Sequence, residues 1–128
     1  MVARQAKKVY LVENAQLRLT HNNEYESTLG ERGQATGTFN APVTAALTLS
    51  PAHVKATFTI YPRGGSISGT AQANYIVKGS TGYFGGTLTI THGAGAYRHA
   101  SGKNLGISGT IDRQHFNMSI KAHGWAVL

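Results

Sequence analysis

The sequence predicts an all-β domain, an antiparallel closed barrel of about eight strands, with a β-sandwich as the runner-up. Three observations lead there. Period-two alternation of apolar and polar residues recurs along the chain, while helical periodicity is nearly absent. Turn-forming residues fall between the alternating runs. A Gly-Thr pair recurs inside strand-like segments, at Gly37-Thr38, Gly69-Thr70, Gly86-Thr87 and Gly109-Thr110.

Taken in chain order, the runs are Ala15, Leu17 and Leu19, then Val43, Ala45, Leu47 and Leu49. Val54, Ala56, Phe58 and Ile60 follow, with Lys55, Thr57, Thr59 and Tyr61 facing the other way. Ala73, Tyr75 and Val77, then Leu88 and Ile90, then Leu105, Ile107 and Ile111 continue the pattern, and Phe116, Met118, Ile120 and Ala122 complete it. Successive strand side chains point to opposite faces, so each run has one buried and one solvated face, as in antiparallel sheet. The predicted reversals are Asn22-Asn23, Gly30 to Gly33, Ser50-Pro51, Pro62 to Gly65, Gly79 to Gly82, Gly93 to Gly95, Gly102 to Asn104 and Asp112-Arg113. Short connections favour an up-and-down order, and closure removes exposed sheet edges. Mid-strand glycine weakens a flat sheet but allows the sharp coiling that a small barrel requires, so the Gly-Thr pairs favour barrel over sandwich.

The chain divides into a basic N-terminal arm, residues 1–8 with Arg4, Lys7 and Lys8, and a single β-barrel domain over residues 9–128. The net charge is +7, yet the remaining cations stand singly along the chain, which favours a protein short of acids over a dedicated basic patch. Cysteine is absent, which removes disulfides, thiol nucleophiles and thiolate metal sites. Charged residues make up 13%, about half the usual share, with Thr, Ser, Gly and Ala in their place as in extracellular β-proteins. The expectation is a secreted or periplasmic protein whose signal peptide is not in the given chain. No apolar run approaches the ~20 residues of a membrane helix, so no membrane span is expected.

The segment Gly93 to Gly102 interrupts the alternation. Its glycines suit positive-φ positions, and its middle suits one short helical turn that sets Tyr97 and Ala100 against the barrel end. With its flanks, Thr87-Leu88-Thr89-Ile90-Thr91, Gly93-x-Gly95-x-Tyr97-x-x-Ala100-x-Gly102 and Gly109-Thr110-Ile111-x-Arg113, it resembles small secreted bacterial β-proteins and, remotely, the allene oxide cyclase and dirigent barrels. The resemblance covers about residues 60–128. It implies an eight-stranded barrel, a trimer in some relatives, with a cavity open at one end. It carries Gly93, Gly95, Ala100 and Gly102 over as shape residues, and no catalytic residue.

The chemistry-bearing residues divide by position. The six histidines show no i, i+2 pair, and surface histidine is their favoured reading, so no metal site and no cofactor are expected. Serine and threonine sit at outward positions without a nucleophile elbow. Glu24, Glu26 and Glu31 lie near predicted turns and read as solvated loop acids, and Asp112 as a turn residue. Glu13 is the first catalytic candidate to check. It interrupts an apolar stretch at an apparent change of phase, which suggests a β-bulge able to turn a carboxyl inward, although a bulge with Glu13 in water is favoured. Asn74, Tyr75 and Tyr97 are the candidate ligand-binding residues. Aromatics interleaved with cations on one face are sparse, so nucleic acid is not the expected partner.

Three functions remain open. The first is an extracytoplasmic barrel holding a small, largely apolar molecule inside. The second is a cyclase or isomerase of the allene oxide cyclase type, which requires an interior acid, base or amide, with Glu13, Asn74 and Tyr75 the first to check. The third is an adhesive or structural module that binds acidic polysaccharide or associates with its own copies, so a homo-oligomer is a further expectation.

Overall fold

The computed structural model describes residues 7–23, 25 and 27–128. They form eight strands: β1 (Lys8–Asn23), β2 (Thr28–Gly37), β3 (Ala41–Ser50), β4 (His53–Ile60), β5 (Gly65–Lys78), β6 (Thr81–Gly95), β7 (Gly102–Asp112) and β8 (Met118–Val127). Every strand pairs antiparallel with its sequence neighbours, and β1 pairs with β8 from Lys8↔Val127 to Leu17↔Met118. The sheet is therefore a closed up-and-down barrel without a free edge. Lys7 and Leu128 exchange two backbone hydrogen bonds of 2.9 Å beside that seam. The rest of the basic arm, with Arg4, lies outside the described residues, as do Glu24 and Glu26.

The alternation fills the interior from every strand, with Leu11, Leu17, Leu29, Val43, Ile67 and Leu105 among the buried side chains. All four Gly-Thr glycines are sites of close strand approach. A Cβ at Gly37, Gly69, Gly86 or Gly109 would lie within 2.2 Å of a carbonyl oxygen on the adjacent strand. The absent side chain is what lets these strands coil into so small a barrel.

Several reversals lie elsewhere than expected. Gly30 to Gly33 is mid-strand in β2, and β6 runs through to Gly95 before the chain turns. Gly102 to Asn104 belongs to β7, where Lys103 and Asn104 together oppose Thr89 and form a bulge. Phe116 lies not in a strand but in the β7–β8 turn at φ 59°, and β8 begins at Met118. At Gly30 to Gly33, Gly93 to Gly95 and Gly102 to Asn104, turn-type residues sit where the pairing of neighbouring strands demands continuation, whereas Phe116 is an apolar residue taken into a turn.

The Gly93–Gly102 segment closes one end of the barrel. Tyr97 N, Arg98 N and Ala100 N donate to carbonyls three residues earlier, so the chain makes successive tight turns rather than a helix. Tyr97 and Ala100 are buried, and Tyr97 packs edge-on against Phe39 with ring centroids 5.5 Å apart. Gly95 turns the chain at φ 63°, and a Cβ there would lie 2.4 Å from Gly64 O. At Gly93 the same atom would meet Tyr97 O at 2.0 Å, while Gly102 packs between Leu105 and Ala126.

Candidate functional site: the barrel interior

The inward residues leave a cavity of about 160 Å³. Its origin is compositional, because seven of the wall positions, including Ala15, Ala45, Ala56 and Ala71, carry only a methyl group. Phe58 and Met118 enter the wall without filling the space, and Phe84 closes part of another side. Cavities of roughly 150 Å³ lined by hydrocarbon stay dry and accept a benzene-sized guest.

Among the described residues one ionisable side chain lies in that wall. Glu13 points inward in phase with Leu11, Ala15 and Leu17. No bulge is needed to turn it, because the irregularity of β1 lies at Thr20, where the register to β2 shifts between Leu19 and His21. The expected bulge at Glu13 is corrected accordingly: a carboxyl at an apolar position imitates a change of phase that the backbone does not make. Glu13 Oε1 accepts a hydrogen bond from Phe39 N, and Oε2 is buried without a partner. The β2–β3 connection is brought over β1 by Thr38, whose N donates to Val12 O at 2.9 Å and whose Oγ1 accepts from Val12 N at 3.0 Å. Burial raises the Glu13 pKa, and the Phe39 N–H opposes that rise only in part.

Glu31 overturns its reading as a solvated loop acid. It lies in β2 between Leu19 on β1 and Ala45 on β3, is 1% exposed, and neither carboxyl oxygen has a partner. Desolvation pushes its pKa up to about 7. The nearby glycines suggest a turn, whereas the inward row Leu29, Glu31 and Ala35 makes it a core position. Leu19, the partner of Glu31, is six residue steps along β1 from Glu13, roughly 20 Å at ~3.3 Å per step, so the two carboxyls do not act as a pair.

The other candidates stand away from the cavity. Asn74 is on the outer face, with Oδ1 3.0 Å from His53 Nδ1, which corrects its placement as an interior amide. The parity of Ala73 and Tyr75 requires this. Tyr75 sits at the rim opposite the Tyr97 cap, where its hydroxyl donates to Ser50 O at 2.9 Å. Tyr97 is behind Phe39, which itself contributes to the wall. Asp112 accepts hydrogen bonds from Gln114 N and from His115 at 3.0 Å, and these hold its carboxyl below the usual range. Among the described residues no helix is long and apolar enough to cross a membrane.

Searches with the chain find no matching family model, curated protein or solved structure.

Proposed function

We propose that the barrel holds one small, largely apolar molecule in its interior. The observation behind this reading is the alanine-lined cavity with a single unpartnered carboxyl oxygen, Glu13 Oε2, in its wall. The volume suits a guest of one aromatic ring or a short branched hydrocarbon, and the carboxyl suits a single polar group upon it.

Toluene is the direct probe. It is expected to raise the thermal midpoint of the protein in proportion to the logarithm of its concentration, as for a ligand that binds only the folded state. Ala56→Leu, which places a larger side chain in the wall, is expected to abolish that rise while the protein stays folded. A midpoint unmoved by toluene, or moved equally in Ala56→Leu, refutes interior binding.

Glu13 also favours a second reading, an acid–base isomerase acting on the same guest, because a carboxyl with a raised pKa in an apolar wall suits proton transfer. Under that reading Glu13→Gln keeps toluene binding and loses turnover of a convertible guest by about a hundredfold or more. Equal turnover by the variant removes the isomerase reading and leaves the binding reading intact.

A further inference from the structure

The outer wall carries a second, chemically different feature. β7 and β8 pair from Gly106↔His123 to Ile111↔Met118, but beyond Gly106 they part. There Gly124 to Val127 pair with β1, and a single bridge, Ser101↔Val127, rejoins the two sides. Two local features mark the break in the ladder, across which Leu105 still packs on Gly124 and Gly102 on Ala126. The bulge sets Asn104 at φ 58°, and Leu105 occupies the space beside Gly124, where a Cβ would lie 2.9 Å from its Cγ. Bulges re-aim side chains as well as ending pairing.

The parting leaves a surface groove of about 550 Å³, walled in part by Trp125, Lys8, Lys103, Ser101, Thr89 and Thr91. Trp125 is the only tryptophan of the chain and is 56% exposed. Tyr10 packs edge-on against its indole at 5.2 Å, and the Lys8 ammonium stands 5.2 Å from the indole centroid. An exposed indole held by its neighbours and flanked by cations and hydroxyls is a recognition surface rather than a piece of core. Among the described residues no acidic side chain lines the groove. Of the described acids, Glu13 and Glu31 are inside the barrel and Asp112 lies at the far end of β7.

We infer that this groove binds an acidic saccharide, with a uronic acid as its recognised unit. The carboxylate of such a sugar pairs with the Lys8 and Lys103 ammoniums, its C–H face lies against the indole, and its hydroxyls meet Thr89, Thr91 and Ser101. Charge complementarity selects an anion, and the hydroxyl-bearing wall selects a polyol over a lipid surface, which requires a contiguous apolar patch. Single-stranded nucleic acid wants several stacking platforms in series, and here one indole lines the groove. This inference stands independently of the interior cavity.

The lone tryptophan makes the test site-specific. Titrating the protein with a galacturonic acid tetramer is expected to shift Trp125 fluorescence saturably, with affinity that falls as salt is added. The double variant Lys8→Ala, Lys103→Ala is expected to weaken binding roughly tenfold, since both ammoniums are removed. Both lysines are exposed, and Lys8→Arg, Lys103→Arg is expected to keep binding as the charge-preserving control. The fully methyl-esterified tetramer is expected to bind weakly. Four results overturn the assignment: an unmoved fluorescence, equal affinity in the alanine variant, equal affinity for polyglutamate, or tighter binding of a single-stranded oligonucleotide.

Discussion

Replacing Glu31 by leucine is expected to stabilise the barrel, and to do so more at pH 8 than at pH 4 by about 3 kcal/mol. The sign follows from the direction of the shift. The carboxyl titrates from 4.5 in the unfolded chain to about 7 in the folded one, because burial without a partner disfavours its charge. Below 4.5 the acid is protonated in both states and its ionisation costs the fold nothing. As pH rises toward 7 the unfolded chain releases the proton while the folded chain retains it, so stability is lost across that window and the loss levels off above it. Glu13 acts in the same direction, and Asp112, whose pKa is lowered, acts in the opposite direction at lower pH. Subtracting wild type from variant at each pH cancels both contributions. Urea unfolding at the two pH values measures the difference. Glu31→Gln is expected to flatten the pH dependence as well, but to stabilise less than leucine, because its amide inherits a site without partners. A wild-type stability that does not fall between pH 4 and pH 8 relative to Glu31→Leu refutes the account.

Adjacent glycines in β6 are expected to respond to alanine in opposite ways. At Gly86 a Cβ would lie 2.0 Å from Gln72 O and 2.6 Å from Ala73 Cα, both backbone atoms of the paired strand. Neither atom can rotate aside, so Gly86→Ala must spread the β5–β6 ladder, and a cost of about 3 kcal/mol or more is expected. At Gly85 the nearest atom to an added methyl is Ile107 O at 3.9 Å, an ordinary contact. Its backbone φ is not positive, so Gly85→Ala is expected to be neutral or to stabilise by about 0.5 kcal/mol through the unfolded chain. Urea midpoints of the two variants, measured side by side, decide the matter. Comparable losses at both positions would mean that glycine matters here for flexibility and not for close approach.

The contrast between these two positions shows what could be read before folding. Gly86 belongs to a Gly-Thr pair and its inward parity follows from Leu88 and Ile90, so its role in coiling the barrel was accessible from the sequence. Asn74 was also accessible, since alternation with Ala73 and Tyr75 places it outside. Glu31 was not. Gly30 and Gly33 around it imitate a reversal, and only its pairing with Leu19 and Ala45 identifies the strand that continues through it. Glu13 lay between: its inward direction follows from parity with Leu11 and Leu17, yet its hydrogen bond to Phe39 depends on a connection folded back from β2.

Class, alternation, the order of the strands and the need for glycine were determined by the sequence itself, because each is a property of a single strand or of a short turn. Which acids lie inside, where the bulges lie, how much space the alanines leave and where β7 parts from β8 were decided by the tertiary structure. Those features depend on register between strands distant in the chain, and a side chain's surroundings in a barrel come mostly from its neighbours across the sheet. The antiparallel barrel expected at the outset is the fold observed, and its closure is what places Glu13 and Glu31, two of the three described acids, in hydrocarbon.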